Sequence, residues 1–155
     1  MSVPARSIVL LVAPSFVLTL AVALLAPPAE AVTPDGYSHA AVKATNAVRR
    51  HHDRHVLRVD RCLQRAADRQ ADRMASQRRM FHQDIGATLR TCHLTSVGEN
   101  VAVGYGTGRG VVRNGWMKSP PHRANILRPS YRLVAVAARQ GRDGRWYASQ
   151  VFGRR

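Results

Sequence analysis

Glutamate is nearly absent from this 155-residue sequence, which contains only Glu30 and Glu99. A glycosidase needs two carboxylates across a cleft, and Glu99 would have to pair with an aspartate such as Asp84 to provide them. The composition therefore argues against a glycosidase. Glu99 also has a structural interpretation, as a hydrogen-bond bracket that holds adjacent loops together.

Motifs for nucleotide binding and for common hydrolytic nucleophiles are also absent. The sequence has no P-loop, no Gly-x-Gly-x-x-Gly after a strand, no Gly-x-Ser-x-Gly elbow and no cysteine quartet. Nothing therefore supports a nucleotide-binding enzyme, an α/β-hydrolase or a four-cysteine zinc site.

The N-terminal segment has the three-part layout of a secretory signal. A single arginine precedes an apolar run over residues 7–26, and Ala29 and Ala31 match the small residues of an A-x-A cleavage site. We therefore predict a signal peptide over residues 1–31, cleavage after Ala31, secretion, and no transmembrane segment after processing. The alternative is a retained membrane anchor, because about 20 apolar residues can span a bilayer, although Pro14 interrupts this run.

Cysteine is limited to Cys62 and Cys92. In an oxidising compartment an even pair most simply forms a disulfide. The chain-entropy model assigns a closed loop of about 31 residues a stabilisation of roughly 3–4 kcal/mol. We predict a Cys62–Cys92 disulfide, and the competing interpretation is a nucleophilic cysteine.

Lysine is scarce as well, since Lys43 and Lys118 are the only lysines among 24 basic residues in a chain of net charge +15. No basic run exceeds two residues, and no aromatic residues alternate with the arginines as stacking platforms, so a specific nucleic-acid partner is not indicated. For an exported protein, anionic polymers or lipid head groups of the cell envelope are the expected partners. A solvated basic surface that serves solubility is the alternative.

Apolar periodicity predicts helices first, then mixed short elements and a hairpin. The first helix is predicted over residues 39–54, after a loose lead-in at 32–37, and the second over 61–80 with Asp60 as its N-cap. The remaining predicted elements are a strand at 97–103, short helices at 111–118 and 122–127, and strands at 131–140 and 145–153 joined at Asp143-Gly144. This order indicates an α+β protein with one domain over residues 38–155.

Two of the seven histidines stand apart from the others. His82 follows the second predicted helix, and His122 follows Pro120 and Pro121, which restrict the backbone of the turn. With Glu99, these histidines would supply three ligands for a zinc-like ion and leave one position for water. The spacing is not that of a His-Glu-x-x-His motif.

The stretch VGENVAVGYGTGRGVVRNGWMKSPPHRANIL, residues 97–127, joins a Gly-Glu-Asn motif to a Trp-Met-x-Ser-Pro-x-His-Arg-x-Asn-Ile-Leu motif. With Asn46 and Arg49 in the first helix and the closing WYASQVFG, it resembles the CAP superfamily of cysteine-rich secretory proteins, antigen 5 and pathogenesis-related proteins. The nearest likeness is to the short bacterial secreted members. The resemblance covers residues 38–153 and implies a three-layer α-β-α sandwich with a cleft.

In family members with a full site, two histidines and two glutamates line the cleft and can hold zinc or a similar ion. The resemblance assigns these positions to His82, Glu99 and His122, while the fourth falls at Ser119, which has no carboxylate. Pro121 replaces the usual glycine before the second histidine. Cleft-supporting roles are implied for Asn100, Ser119, Arg123 and Asn125.

Proteins of this family have been proposed as proteases, as sterol or lipid binders and as secreted effectors. The signal peptide, the basic charge and the incomplete set of carboxylates favour a non-enzymatic binding module of the extracellular space or the envelope, which is expected to be a monomer. Zinc or another divalent cation is the candidate cofactor, and the sequence requires none. The alternatives are a metal-dependent hydrolase of the protease type and a lipid- or sterol-binding protein.

Overall fold

The structure, a computed structural model, describes residues 31–155. The signal peptide predicted over residues 1–31, and its alternative as a membrane anchor, lie outside the described residues except for Ala31. In the described part of the chain, no helix is both long enough and apolar enough to cross a membrane.

A four-stranded sheet forms the middle layer, in the order β1-β3-β4-β2. The strands are β1 (Arg58–Val59), β2 (Ser96–Val103), β3 (Leu133–Gln140) and β4 (Trp146–Arg154). β1 runs parallel to β3, whereas β3 and β2 each run antiparallel to β4. The β3–β4 hairpin confirms the turn predicted at Asp143-Gly144, where Gly144 adopts a φ of 73°.

Helices cover both faces of this sheet. They are α1 (Pro34–His51), α2 (Arg61–Gln77), α3 (Ile85–Thr91), α4 (Gly108–Gly110) and α5 (Pro120–Leu127). The short α4 continues through a π-helical stretch and a 3-10 turn as far as Lys118. The first residue of this segment, Gly108, has to be glycine, because a side chain there would overlap the backbone of α1 at Tyr37 and Ala41.

The strand β3 is buried on both faces, and its alternate side chains belong to two different cores. Val134 and Val136 pack in the core that contains α1, whereas Leu133 and Ala135 pack in the core that contains α2. Successive side chains of a strand point to opposite faces, and burying each valine or leucine contributes about 1.5–3 kcal/mol. The predicted three-layer α-β-α sandwich is therefore confirmed.

The first helix begins earlier and ends earlier than the predicted range of residues 39–54. Thr33 accepts a hydrogen bond from the Gly36 N–H at 3.0 Å, and Pro34 occupies the first turn, a favourable start for a helix. Most of the predicted loose lead-in is therefore helical. Helix α1 ends at His51, and Asp53 then adopts a left-handed φ of 54°.

Helix α2 is capped by Asp60 as predicted, because its Oδ1 accepts hydrogen bonds from the N–H groups of Cys62 and Leu63. The helix ends at Gln77, short of the predicted Met80, because Arg78 adopts the left-handed conformation of a helix C-terminus. Neither α3 nor β1 was predicted, since seven and two residues are too few for apolar periodicity to be recognised.

The predicted Cys62–Cys92 disulfide is present, with its Cα atoms 5.7 Å apart. It links the first turn of α2 to the residue that follows α3. The chain from Cys92 leads directly into β2, so the bond anchors the outer helical layer beside the strand that carries Glu99.

Candidate functional site

Glu99 lies on β2 with only 5% of its surface exposed, and four donors surround its carboxylate. Its Oε1 accepts from Gln83 Nε2 at 2.6 Å and from Ser149 Oγ at 2.8 Å. Its Oε2 accepts from His82 Nδ1 at 2.8 Å and from the Gln83 N–H at 3.2 Å. Glu99 therefore joins the loop after α2 to β2 and β4, which is the structural role considered from the sequence.

His82 is held by this carboxylate but remains open to solvent. Its side chain is 57% exposed, and Nδ1 carries the proton that is donated to Glu99, because an ionised carboxylate can only accept. The other ring nitrogen, Nε2, makes no hydrogen bond within residues 31–155. Glu99 thus sets the orientation of an imidazole whose second nitrogen is available to a ligand.

His122 lies in the first turn of α5 and is half-buried. It is close enough to His82 for the two imidazoles to interact electrostatically. Asn100 Nδ2 donates to the His122 carbonyl at 3.1 Å and holds this turn against the sheet. Burial, and secondly the charge of His82, keep the pKa of the His122 imidazole below its usual value. His122 is therefore a neutral imidazole at neutral pH.

We expect the thermal stability of the protein to fall as the pH drops below about 6.5, the ordinary histidine pKa. The lowered pKa of His122 means that the unfolded chain binds more protons than the folded one in this range, so the free energy of unfolding decreases with decreasing pH. Melting temperatures at pH 7.5 and pH 5 measure the effect. The difference should shrink in His122→Gln and persist in His39→Gln; equal differences in the two variants would contradict it.

A buried chain of side-chain amides runs from this cleft into the core. Asn125 Nδ2 donates to Asn100 Oδ1 at 2.9 Å, and Asn100 Nδ2 donates to Gln150 Oε1 at 3.1 Å. Gln150 Nε2 then donates to Thr45 Oγ1 of α1 at 2.8 Å. Within residues 31–155, every buried side-chain nitrogen or oxygen has a hydrogen-bond partner, so this polar chain is fully satisfied.

Ser119 and Arg123, the other two residues expected to support the cleft, are placed differently from Asn100 and Asn125. Ser119 is the N-cap residue of α5, but its side chain makes no capping hydrogen bond. Its carbonyl accepts from the Arg123 N–H at 2.8 Å. The Arg123 side chain is exposed and makes no hydrogen bond within residues 31–155. The structure therefore joins only the two asparagines to the polar chain.

Metal binding by His82, Glu99 and His122 stays a prediction, and the geometry of these residues does not favour it. Among residues 31–155, no group of three or more His, Cys, Asp or Glu side chains could hold a metal ion. The physical reason lies in Glu99, whose two oxygens already accept from four protein donors. Protein zinc sites use three or four protein ligands, and the two imidazoles alone fall short of that number.

The cleft itself is a shallow, open depression of about 300 Å³ beside this pair. Its wall includes Arg128, whose guanidinium carbon lies 5.4 Å from the centre of the Tyr131 ring. Gly98 forms part of the floor, where a side chain would collide with the Tyr131 hydroxyl. The cleft therefore presents an imidazole and a guanidinium group to solvent, while the Tyr131 side chain that contributes to its wall is buried.

Sequence reasoning missed the residues that enclose Glu99. Gln83 and Ser149 donate to the carboxylate, and Gln150 extends the polar chain to α1. One signal was present for two of them: the adjacent polar residues Ser149 and Gln150 interrupt an otherwise apolar strand, WYASQVFG. A buried strand with two consecutive polar residues indicates that both of its faces meet hydrogen-bonding partners.

Known proteins resemble the chain over most of its described length. Residues 42–152 match the family described as CAP, the cysteine-rich secretory protein family. The protein YkwD of Bacillus subtilis is 31% identical over 108 residues, which are 64% of this chain and 41% of YkwD. The chain thus matches less than half the length of that relative.

Two solved structures share the fold. An extracellular protein containing an SCP domain from Bacillus anthracis has a TM-score of 0.67 and 23% identity, over 82% of this chain and 45% of that one. An outer surface protein from Borrelia burgdorferi has a TM-score of 0.64 and 18% identity, over 74% of this chain and 89% of that one. With the family match over residues 42–152, these findings show that the chain belongs to the CAP family of cysteine-rich secretory proteins.

Proposed function

We propose that this CAP protein is secreted and acts at the cell envelope as a binding module that carries out no hydrolysis. The observation that carries the proposal is the enclosure of Glu99 by four donors. A general base needs a free lone pair directed at the proton that it removes. The lone pairs of the Glu99 carboxylate instead accept hydrogen bonds from His82, Gln83 and Ser149.

The hydroxyl group that contacts this carboxylate is not placed to act as a nucleophile. The Ser149 side chain is fully buried, and its hydroxyl donates a hydrogen bond to Glu99. Ser119 stands where the family pattern has a second glutamate, and it supplies no carboxylate. Binding therefore explains the site better than acyl transfer, which needs an activated nucleophile and an oxyanion site.

The charge of the protein supports an anionic ligand. Residues 31–155 contain 23 basic and 8 acidic residues, after Arg6 and Glu30 are subtracted from 24 and 9. The cleft adds the exposed guanidinium of Arg128. A surface of this sign attracts anionic polymers and lipid head groups of the envelope.

The protein recovered from the medium of an expressing culture tests all parts of this proposal. We expect it to sediment with insoluble envelope polymer at about 0.15 M salt and to be released as salt screens the charges. Casein and peptidoglycan should yield no more product with the wild type than with Glu99→Gln. Retention of the protein in the cell membrane, absence of sedimentation, or hydrolysis that Glu99→Gln abolishes would each contradict the proposal.

A second candidate function is the binding of an anionic lipid in a groove along α1, supported by two adjoining depressions of about 360 and 410 Å³. Alanines of α1 line the groove together with Met117, and Lys43 and Arg113 stand beside them. Both depressions border on Ala47. An apolar groove beside cations suits an acyl chain with an acidic head.

Oleate titration tests this second function. Ala47→Trp places a large ring in both depressions and should weaken oleate binding at least tenfold. Ser76→Trp, an exposed position on α2, is the control for added surface hydrophobicity. If both variants bind oleate like the wild type, the groove is not its site.

A further inference from the structure

Helix α2 carries four arginines at intervals of four residues: Arg61, Arg65, Arg69 and Arg73. All four are exposed. Four residues of α-helix advance about 6 Å and turn by about 40°, so these side chains form a ladder about 18 Å long that winds slowly around the outer face. We call this set the arginine ladder.

The ladder has no acidic counterpart within the described part of the protein. The two aspartates of α2, Asp68 and Asp72, instead bind Arg139 of β3 at 3.2 and 2.8 Å. Within residues 31–155, no carboxylate lies within 4.0 Å of a ladder guanidinium. The polar side-chain contact that the ladder does make joins Arg73 to the neutral amide oxygen of Gln70.

This arrangement opposes the stability of the helix. Like charges four residues apart on a helix repel each other, and the four arginines repeat that spacing three times in succession. Apart from the Arg73–Gln70 contact, no side-chain hydrogen bond or ion pair within residues 31–155 involves these four side chains. A linear anion lying along the helix would turn the repulsion into attraction.

We propose that the arginine ladder is the docking surface for a linear phosphodiester polymer of the cell envelope, in which a short linker separates successive phosphates. The inference rests on the proposed secretion and envelope binding, and it names the surface and the ligand. Guanidinium groups bind phosphate oxygens through paired hydrogen bonds. Phosphates that repeat along a chain match cations that repeat along a helix.

Two other anionic partners fit the ladder less well. Helix α2 contains no aromatic residue on which bases could stack, and base stacking is a main source of affinity for single-stranded nucleic acid. A membrane-bound helix needs exposed apolar side chains to insert. The exposed large apolar residues of the described chain are Val32, Val56, Val59 and Met80, none of which lies in α2.

The test compares two quadruple variants of equal charge, each lowering the net charge from +15 to +11. The ladder variant is R61Q/R65Q/R69Q/R73Q. The control is R50Q/R58Q/R142Q/R154Q, in which the replaced arginines are exposed and make no side-chain ion pair within residues 31–155. Glutamine keeps a high helix propensity, and circular dichroism confirms that both variants fold.

Binding is measured by calorimetry with purified poly(glycerol phosphate) as the probe. We expect the ladder variant to lose at least tenfold in affinity and the control at most threefold. The slope of log affinity against log salt should fall by about 3 for the ladder variant, since each phosphate contact contributes about 0.7.

Equal losses in the two variants would overturn the ladder as the site, although polymer binding by the wild type would still uphold the proposed function. Tighter wild-type binding to oligo(dT), or to vesicles containing phosphatidylglycerol, would overturn the choice of ligand. Absence of binding to every anionic probe would contradict both the ladder and the proposed envelope function.

Discussion

Replacing Arg49 with methionine is expected to lower the free energy of unfolding by about 3–5 kcal/mol. The Arg49 side chain is fully buried between α1 and the segment after α5. It donates to four backbone carbonyls, those of His55, Ile126, Arg128 and Tyr131, at 2.7, 2.6, 3.1 and 3.4 Å. Methionine fills much of the volume but leaves these carbonyls without their donor.

The guanidinium keeps its charge although no carboxylate within residues 31–155 pairs with it. Burial, followed by the nearby charges of Arg132 and Arg54, lowers the pKa of Arg49 to about 10, which is still far above neutral pH. Its counterpart is the negative end of α5, where the Ile126 carbonyl lies in the last turn. The planar guanidinium of arginine presents several N–H groups in fixed directions and can donate to all of these carbonyls. The compact ammonium group of a lysine cannot reach all of them at once.

Urea unfolding followed by tryptophan fluorescence measures this effect. Arg49→Lys should lie between the wild type and Arg49→Met, because an ammonium group keeps the charge but reaches fewer of the carbonyls. Arg50→Met, the exposed neighbour on the same helix, should change the free energy of unfolding by no more than about 0.5 kcal/mol. Similar losses in Arg49→Met and Arg50→Met would contradict the role assigned to the buried guanidinium.

Removing the disulfide by Cys62→Ala/Cys92→Ala should destabilise the protein by about 3–4 kcal/mol. The bond closes a loop between residues 30 positions apart, and its loss releases the conformational freedom of that loop in the unfolded chain. Cys92 is also buried against Leu63 and Leu94, and alanine retains part of that packing. Most of the expected loss therefore arises in the unfolded state.

Thermal unfolding with and without dithiothreitol isolates this contribution. The wild type should fall to the melting temperature of the double variant when it is reduced, while the double variant should not respond. A reduced wild type that unfolds at the same temperature as the oxidised protein would show that the link adds nothing. Comparison of the reduced wild type with the double alanine variant separates the effect of the covalent bond from the effect of the packing of the two sulfur atoms.

Local sequence patterns predicted most of the fold because they depend on neighbours along the chain. The N-cap at Asp60, the apolar stripe of α2 and the turn at Asp143-Gly144 are all determined within a few residues. The same approach missed the start of α1 at Pro34, where a capping threonine and a proline outweighed weak periodicity. It also missed α3, which is too short to show a period.

The candidate site was predicted as a set of residues but not as a set of bonds. The sequence identified His82, Glu99 and His122, and the structure brings His82 and Glu99 into a hydrogen bond with His122 nearby. Metal ligation by Glu99 stays a prediction that this geometry does not favour, because Gln83 and Ser149 complete its shell of donors. Neither Gln83 nor Ser149 belongs to a sequence motif that would predict its hydrogen bond to Glu99.

The sequence by itself determined the cores of α1 and α2, the strands β2 to β4, the disulfide between the only two cysteines, and the likeness to the CAP family. Only the tertiary structure decided whether its single cleft glutamate is free or enclosed. Ser149 lies 50 residues from Glu99 along the chain and reaches it only because β4 pairs with β2. The availability of a carboxylate depends on how many donors surround it, and that number is set by the packing of distant segments.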